Sequence, residues 1–101
     1  MSKTRKIIYS ILTEIQKGEN RPHWKDYGIE KEEFANIIEM MEDEGLIKNS
    51  SVVRGGIGNK AHAIFIKDAK ITMKGLDYLE ENSIWKKTYK GLKEVREWLP
   101  L

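Results

Sequence analysis

Residues 30–45, EKEEFANIIEMMEDEG, decide the fold, because their apolar side chains recur at helical spacing and leave a polar side opposite. At about 100° per residue, four apolar side chains fall in one narrow stripe, which is typical of a helix packed on a core. Gly45 ends this helix. The stretch holds seven acids and one basic residue, Lys31, so its outer side is strongly negative. The apolar stripe is Phe34, Ile37, Ile38 and Met41, and the opposite side carries Glu32, Asn36, Glu39 and Asp43.

Two further helices are predicted before this stretch. The first covers residues 4–17, where apolar residues return every three or four positions and Gly18 supplies a stop. The segment GENRPHWKDYG then leaves room for a turn and one very short helix around Trp24–Tyr27. A helix, a short helix and a second full helix in this order are typical of a helix-turn-helix.

After residue 46 the period changes from helix to strand. IKNSSVVR and AHAIFIKD are short β-prone runs joined by GGIGNK, which predicts a two-stranded hairpin over about residues 47–67. Helical spacing returns over residues 72–82, with Thr72 as the N-cap and with Met73, Leu76 and Leu79 directed inward. A last helix is predicted over residues 83–99, closed by Pro100. Its apolar stripe is Trp85, Tyr89, Leu92, Val95 and Leu99.

The length and element order together predict one domain over residues 1–101. A chain of this size buries a single modest core, and 40% apolar with 34% charged residues is typical of a folded globular protein. The order helix, short helix, helix, hairpin, helix, helix predicts an α+β, mostly helical winged helix-turn-helix. In that fold the hairpin is the wing, and residues 30–45 take the place of the recognition helix.

Charge is distributed unevenly, although the net charge is only +2. Residues 1–29 carry six Lys or Arg against three acids, residues 30–46 one against seven, and residues 47–71 five against one. An acidic block therefore lies between two basic ones. The chain has no cysteine, and no apolar run approaches the ~18 residues that span a bilayer. We therefore expect a cytoplasmic protein with no membrane partner.

Four segments carry a resemblance to a known family: ILTEI, GIEKEEFANIIEMMEDEGLI, ITMKGLDYLEEN and the tail WKKTYKGLKEVREWL. In order and length they resemble the YjcQ-like family of small winged-helix proteins from Gram-positive bacteria and their prophages, over nearly the whole chain. The third segment is common after the wing of winged-helix proteins, whereas the aromatic and basic tail is more specific. The resemblance implies a winged-helix fold and a phage setting. It implies no activity, because the members are mostly of unknown function.

The first functional hypothesis is a regulator that contacts double-stranded DNA through the wing and the basic N-terminal region. The wing segment VVRGGIGNKAH places cations around three glycines, which let a backbone approach phosphates closely. Carboxylates near phosphates repel the duplex, so residues 30–45 contribute only Asn36 to base recognition. A mobile hairpin tip and ordinary surface lysines explain the same pattern without DNA. The candidate contacts are Lys3, Arg5, Arg21, Lys25, Asn36, Arg54, Lys60 and His62.

The alternative is a protein-interaction module or homodimerising adaptor that does not bind DNA. Glu39 and Asp43 are like charges one turn apart, and acids at the end of this helix oppose its dipole by about 0.3–1 kcal/mol each. A basic protein partner would compensate them, including the last helix of a second copy, although a solvated face is the simpler explanation. Trp98 lies outside its helix stripe, so it either is exposed for dimerisation or packs on the first helix. The residues of this alternative are Glu32, Glu39, Asp43, Lys90, Lys93 and Trp98.

The sequence predicts no catalytic site, metal site or cofactor. His23 and His62 lie on unlike segments without metal-ligand spacing, and no serine has the context of a catalytic nucleophile. The paired carboxylates lie on solvated helix faces rather than across a cleft. We therefore expect a binding protein and not an enzyme.

Overall fold

The computed structural model describes residues 3–101 and shows an α+β, mostly helical chain. Its helices and hairpin follow the predicted order as far as the fourth helix, with two short strands added on either side of the hairpin. None of the described helices is long and apolar enough to cross a membrane. The elements are α1 (Lys3–Lys17), α2 (Trp24–Tyr27), α3 (Lys31–Asp43), β1 (Ile47–Lys48), β2 (Ser51–Gly55), β3 (Lys60–Phe65), β4 (Lys70–Ile71), α4 (Met73–Glu81), 3-10 turns at Ser83–Lys87 and Leu92–Glu94, and α5 (Val95–Trp98).

The strands form two small antiparallel sheets. β2 pairs with β3 as the predicted hairpin, with Ser51 opposite Phe65 and Gly55 opposite Lys60, and the register shifts between Val53 and Arg54. β1 pairs with β4, which closes the base of the hairpin in a second ladder that the sequence did not predict. Strands of two residues are too short to show an alternating pattern, so periodicity could not reveal them.

The core is built around α1 and the apolar stripe of α3. Ile7, Ile11 and Leu12 of α1 are fully buried. The four stripe residues predicted for α3 are all buried as well, which confirms the inward side of that helix. The opposite side of α3 therefore faces away from the core, toward the hairpin and solvent.

The prediction for α4 is correct at its start and for Leu79, which packs against the core, but wrong for Met73 and Leu76. Thr72 caps the helix by accepting a hydrogen bond from the Gly75 N–H, at 3.0 Å. Met73, however, is 75% exposed, and Leu76 is also exposed. The helix instead turns Gly75 inward, where a Cβ would clash with the Leu46 carbonyl oxygen and the Ile71 side chain. At the start of α4, backbone contact at a glycine thus replaces the contact expected from Met73 and Leu76, while Leu79 packs against the core as predicted.

The prediction of one continuous helix over residues 83–99 is wrong, because Gly91 separates two short helical segments. This glycine has a φ of 116°, a value that other residues rarely adopt. In a straight helix Trp85 and Trp98 would lie about 20 Å apart. The break brings both rings onto Tyr9 of α1, with centroids at 5.5 and 6.1 Å. The tail therefore folds back over the first helix as an aromatic cover.

Candidate functional site

The β2–β3 hairpin lies along the acidic side of α3, and Arg54 is the side chain that joins them. Its Nη1 lies 2.5 Å from Glu32 Oε2, and its Nη2 lies 2.6 Å from Glu39 Oε1. Arg54 Nε donates to the second Glu39 oxygen at 3.0 Å, so this pair is bidentate. Nη2 also donates to Asn36 Oδ1 at 2.9 Å. We call Arg54, Glu32, Asn36 and Glu39 the arginine clamp.

Further hydrogen bonds hold the hairpin to both ends of α3. Near the start of the helix, the Ala61 N–H donates to Glu32 Oε1 at 2.9 Å, and Lys31 Nζ donates to the His62 carbonyl at 2.5 Å. Near its end, Glu42 Oε1 accepts from the Ser50 N–H at 2.9 Å. The hairpin is therefore aligned along α3 rather than projecting freely from the domain.

The clamp shifts the acid–base properties of its carboxylates. The hydrogen bonds from Arg54 lower the pKa of Glu39. The hydrogen bond from the Ala61 N–H lowers the pKa of Glu32, and Arg54 adds to this effect. The same two carboxylates raise the pKa of the Arg54 guanidinium. In the part of the chain that the structure describes, both ion pairs are made by Arg54.

The clamp joins residues that the sequence assigned to two competing functions. Arg54 and Asn36 were candidates for DNA contact, and Glu32 and Glu39 were candidates for a basic protein partner. The structure places them against one another, so the basic partner of these two acids is Arg54 of the same chain. Arg54 therefore does not present its guanidinium to an outside ligand in this conformation. Asp43 lies outside the clamp and is exposed.

A second group of candidates meets at the turn between α2 and α3. The Arg96 guanidinium lies over Gly28, where a Cβ would be 3.2 Å from its Nε, and it donates to the Lys25 carbonyl. Lys3 and Arg96 line one shallow cleft of about 470 Å³ beside Gly28. We call Lys3, Lys25 and Arg96 the turn cluster. Lys3 and Arg96 share the cleft, whereas Lys25 takes part through its backbone carbonyl and has an exposed side chain. Sequence reasoning had not selected Arg96.

The remaining candidates do not join either group. Lys60 is exposed at the start of β3, and His62 Nε2 lies 3.1 Å from the Gly55 carbonyl within the same hairpin. Arg5 is exposed and accepts a hydrogen bond from the Tyr78 hydroxyl at its carbonyl. Three other cations share a cleft of about 590 Å³ with the end of α1 and with Glu94: Arg21, Lys90 and Lys93.

The sequence left Trp98 either exposed for dimerisation or packed on the first helix, and the structure shows it packed. Its side chain is 3% exposed. The indole Nε1 donates to Thr88 Oγ1 at 2.8 Å, and Lys6 Nζ lies 5.0 Å from the ring centroid. Trp98 therefore contacts α1 of its own chain and offers no exposed surface for dimerisation.

The comparisons with known proteins agree on one family. The family model described as YjcQ protein matches residues 9–98. The chain belongs to the YjcQ family. It is 29% identical to the uncharacterized protein YjcQ of Bacillus subtilis over 94 residues, covering 93% of this chain and 95% of the relative. The solution NMR structure of the Bacillus subtilis YjcQ protein aligns with a TM-score of 0.53 and 26% identity, over 78% of this chain and 95% of that one.

The segment that matches the YjcQ family also contains a buried polar chain that sequence reasoning missed. Tyr27 OH lies 2.9 Å from Ser10 Oγ, which lies 2.7 Å from Tyr89 OH, and Tyr89 donates to Glu14 Oε2 at 2.6 Å. Glu14 is 1% exposed. Burial and the Glu14 hydrogen bond raise the pKa of Tyr89. The only signal in the sequence was the spacing of Ser10 and Glu14, one turn apart on the inner side of α1.

This polar chain is satisfied within the domain. No buried side-chain nitrogen or oxygen among the described residues lacks a hydrogen-bond partner. Across residues 3–101, no three His, Asp or Glu side chains are grouped to hold a metal ion. The arrangement is therefore suited to fixing the tail on α1 and α2, since each hydroxyl has a designated partner.

Proposed function

We propose that the chain is a winged-helix protein that associates with double-stranded DNA through the turn cluster and the exposed lysines of the hairpin. The order of elements, with a helix, a short helix and a helix before the hairpin, supports the winged-helix assignment. The observation that carries the DNA proposal is that Lys3 and Arg96 line one cleft at Gly28, in the turn between α2 and α3, with the exposed Lys25 three residues before that glycine. In helix-turn-helix proteins the first helix of the pair crosses the DNA backbone, where cations contact phosphates.

The arginine clamp determines how α3 takes part. Its outer side is covered by the hairpin at Glu32 and Glu39, so α3 does not enter a major groove in this conformation. Arg54 also compensates the charges of Glu32 and Glu39, which would otherwise repel phosphates. Lys60 on the hairpin and Lys67 in the turn after β3 are exposed and supply the second set of phosphate contacts. This mode provides affinity through the DNA backbone and little base recognition.

The test is duplex binding as a function of salt, measured by the fluorescence anisotropy of a labelled duplex. We expect binding at low salt with a negative log–log slope, because cations on the protein release counterions from DNA. Lys3→Ala and Lys25→Ala should each reduce the slope by about one. Arg54→Ala should leave the slope unchanged, because the Arg54 guanidinium is already paired with Glu32 and Glu39.

Lys86→Ala is the matched control, since Lys86 is an exposed lysine on the 3-10 turn after α4 and outside the turn cluster. Absence of binding at low salt would overturn the proposal. An equal effect of Lys86→Ala and Lys25→Ala on the slope would also contradict it, because the turn cluster would then have no special role.

A further inference from the structure

The tip of the hairpin carries one apolar side chain that the domain does not cover. Ile57 is 102% exposed. The turn that carries it is nevertheless ordered, because the Asn59 N–H donates to the Gly56 carbonyl at 3.1 Å. Gly58 has a φ of 80°, the value that the third residue of a type II turn adopts. The defined turn therefore holds Ile57 outward.

The turn is supported by α3 through both strands of the hairpin. On the β2 side, Arg54 Nη1 binds Glu32 and also donates to the Asn59 carbonyl at 3.1 Å. On the β3 side, the Ala61 N–H donates to Glu32 Oε1 at 2.9 Å. Because the core fixes α3, the turn that carries Ile57 rests on a fixed helix.

The hairpin is directed so that its tip lies near the start of α3. Ser50, just before β2, bonds Glu42 near the end of the helix, so β2 runs toward the helix start. At that start Lys31 links the hairpin to α2, since its Nζ donates to the His62 carbonyl and lies 5.6 Å from the Trp24 ring centroid. The turn cluster lies beside the turn that precedes α3. The tip and the turn cluster are therefore at the same end of this helix.

The surroundings of Ile57 determine what kind of ligand it fits. Its neighbours in the turn are two glycines and Asn59, so no apolar patch extends from it. Protein interfaces and membrane-surface helices instead bury a broad apolar area. Exposed Glu30 and Glu33 accompany Lys60 at this end, so charge alone gives the tip little attraction for phosphates. A single apolar side chain on a narrow turn fits a narrow opening, such as the step between two base pairs reached from the minor groove.

We propose that Ile57 is a wedge that enters the minor groove, separates two stacked base pairs and bends the duplex. This inference rests on the proposed association with DNA and adds a sequence preference to it. Pyrimidine–purine steps such as TA unstack easily, whereas A-tracts are stiff. The wedge therefore selects duplexes that contain TA steps, without hydrogen bonds to base edges. The turn cluster supplies affinity for the DNA backbone, and Ile57 supplies the preference for a deformable site.

The experiment compares a duplex with central TA steps and a duplex with a central A-tract. Energy transfer between dyes at the two duplex ends measures the bend, and fluorescence anisotropy measures affinity. We expect the full chain to bend the TA duplex by about 20° or more, and to bind it about fivefold or more tightly than the A-tract. Ile57→Ser should remove the bend and the preference. It should leave the salt slope unchanged, because it removes no cation.

Val53→Ser is the matched control, since Val53 is a half-exposed β-branched residue on the same hairpin, away from the tip. It should retain both the bend and the preference. Because Ile57 is fully exposed, circular dichroism of Ile57→Ser should match that of the unchanged chain.

Three outcomes would overturn the wedge. Salt-dependent binding without a bend, or a bend that survives Ile57→Ser, would do so while leaving the association with DNA in place. Absence of binding to either duplex would overturn both proposals. Binding of phosphatidylglycerol vesicles that Ile57→Ser abolishes, with no effect of the variant on duplex binding, would assign the tip to a lipid surface instead.

Discussion

The two sides of α3 are held in place by opposite kinds of interaction. On one side Phe34, Ile38 and Met41 are buried in the core. On the other side Glu32 and Glu39 bind Arg54 in contact with solvent. Burial of a large apolar side chain stabilises by about 1.5–3 kcal/mol and depends little on salt or pH, whereas exposed ion pairs contribute little and depend on both. The core therefore fixes α3, and the arginine clamp ties the hairpin to α3 through contacts that depend on salt and pH.

The largest change in the free energy of unfolding is expected from a substitution on the buried side of α3. Phe34→Ala should lower the free energy of unfolding by about 3–5 kcal/mol, because it removes a buried ring and leaves a cavity. Chemical denaturation measures this loss, and the loss should be the same at low and high salt. Phe65→Ala is the matched control, and its effect should remain within about 0.5 kcal/mol because that ring is half exposed. Similar losses from both variants would contradict the described core.

An intermediate effect is expected from Tyr89→Phe. The variant removes the donor to buried Glu14 and one partner of Ser10, which should cost about 1–3 kcal/mol of unfolding free energy. Tyr78→Phe is the control, because that hydroxyl bonds an exposed backbone carbonyl at Arg5. If the control loses as much as Tyr89→Phe, the polar chain is not the cause.

Lowering the pH is expected to have the smallest effect on global stability. Its effect should be confined mainly to the hairpin. The pKa values of Glu32 and Glu39 are lowered in the folded state, so their stabilising effect is present above the ordinary glutamate pKa. It is lost as pH falls through the lowered values, when protonation removes the charge that Arg54 binds. Hydrogen exchange should then show falling protection of the Ala61 amide while the Ile11 amide in α1 stays protected.

Glu32→Gln combined with Glu39→Gln is the control for this pH effect. The double variant should show weak protection of Ala61 at neutral pH and little further change in acid. Equal loss of protection at Ala61 and Ile11 would mean that the hairpin does not open separately from the core, and the comparison between the two sides of α3 would then fail.

Much of the fold could be predicted from the sequence, because its helices and hairpin carry regular patterns. The α3 stripe, the α1 repeat and the Thr72 cap depend on local spacing, and the structure confirms all three. The tail could not be predicted in this way, because the break at Gly91 serves distant contacts between Trp85, Trp98 and Tyr9. The same applies to α4, where Gly75 approaches the backbone of Leu46.

The candidate site was harder to predict, since it depends on which acidic and basic side chains form ion pairs in the folded chain. The sequence showed an acidic block next to a basic one, and this favoured an outside partner for the acids. The register of the hairpin instead turns Arg54 toward α3 and Lys60 away, a difference that composition does not contain. Arg96 was missed because its relation to Lys3 and Lys25 arises only when the tail folds back.

The central claim is that Arg54 is bound to α3, and NMR of its side chain tests this most directly. At neutral pH we expect a slowly exchanging Nε–H signal for Arg54, with contacts from its side chain to Glu39 and Asn36. The exposed Arg21 serves as the internal reference, with rapid exchange. The contacts from the Arg54 side chain to Glu39 should disappear in acid as Glu39 is protonated. An Arg54 signal that exchanges as fast as that of Arg21 at neutral pH would contradict the claim and return the guanidinium to the candidates for DNA contact.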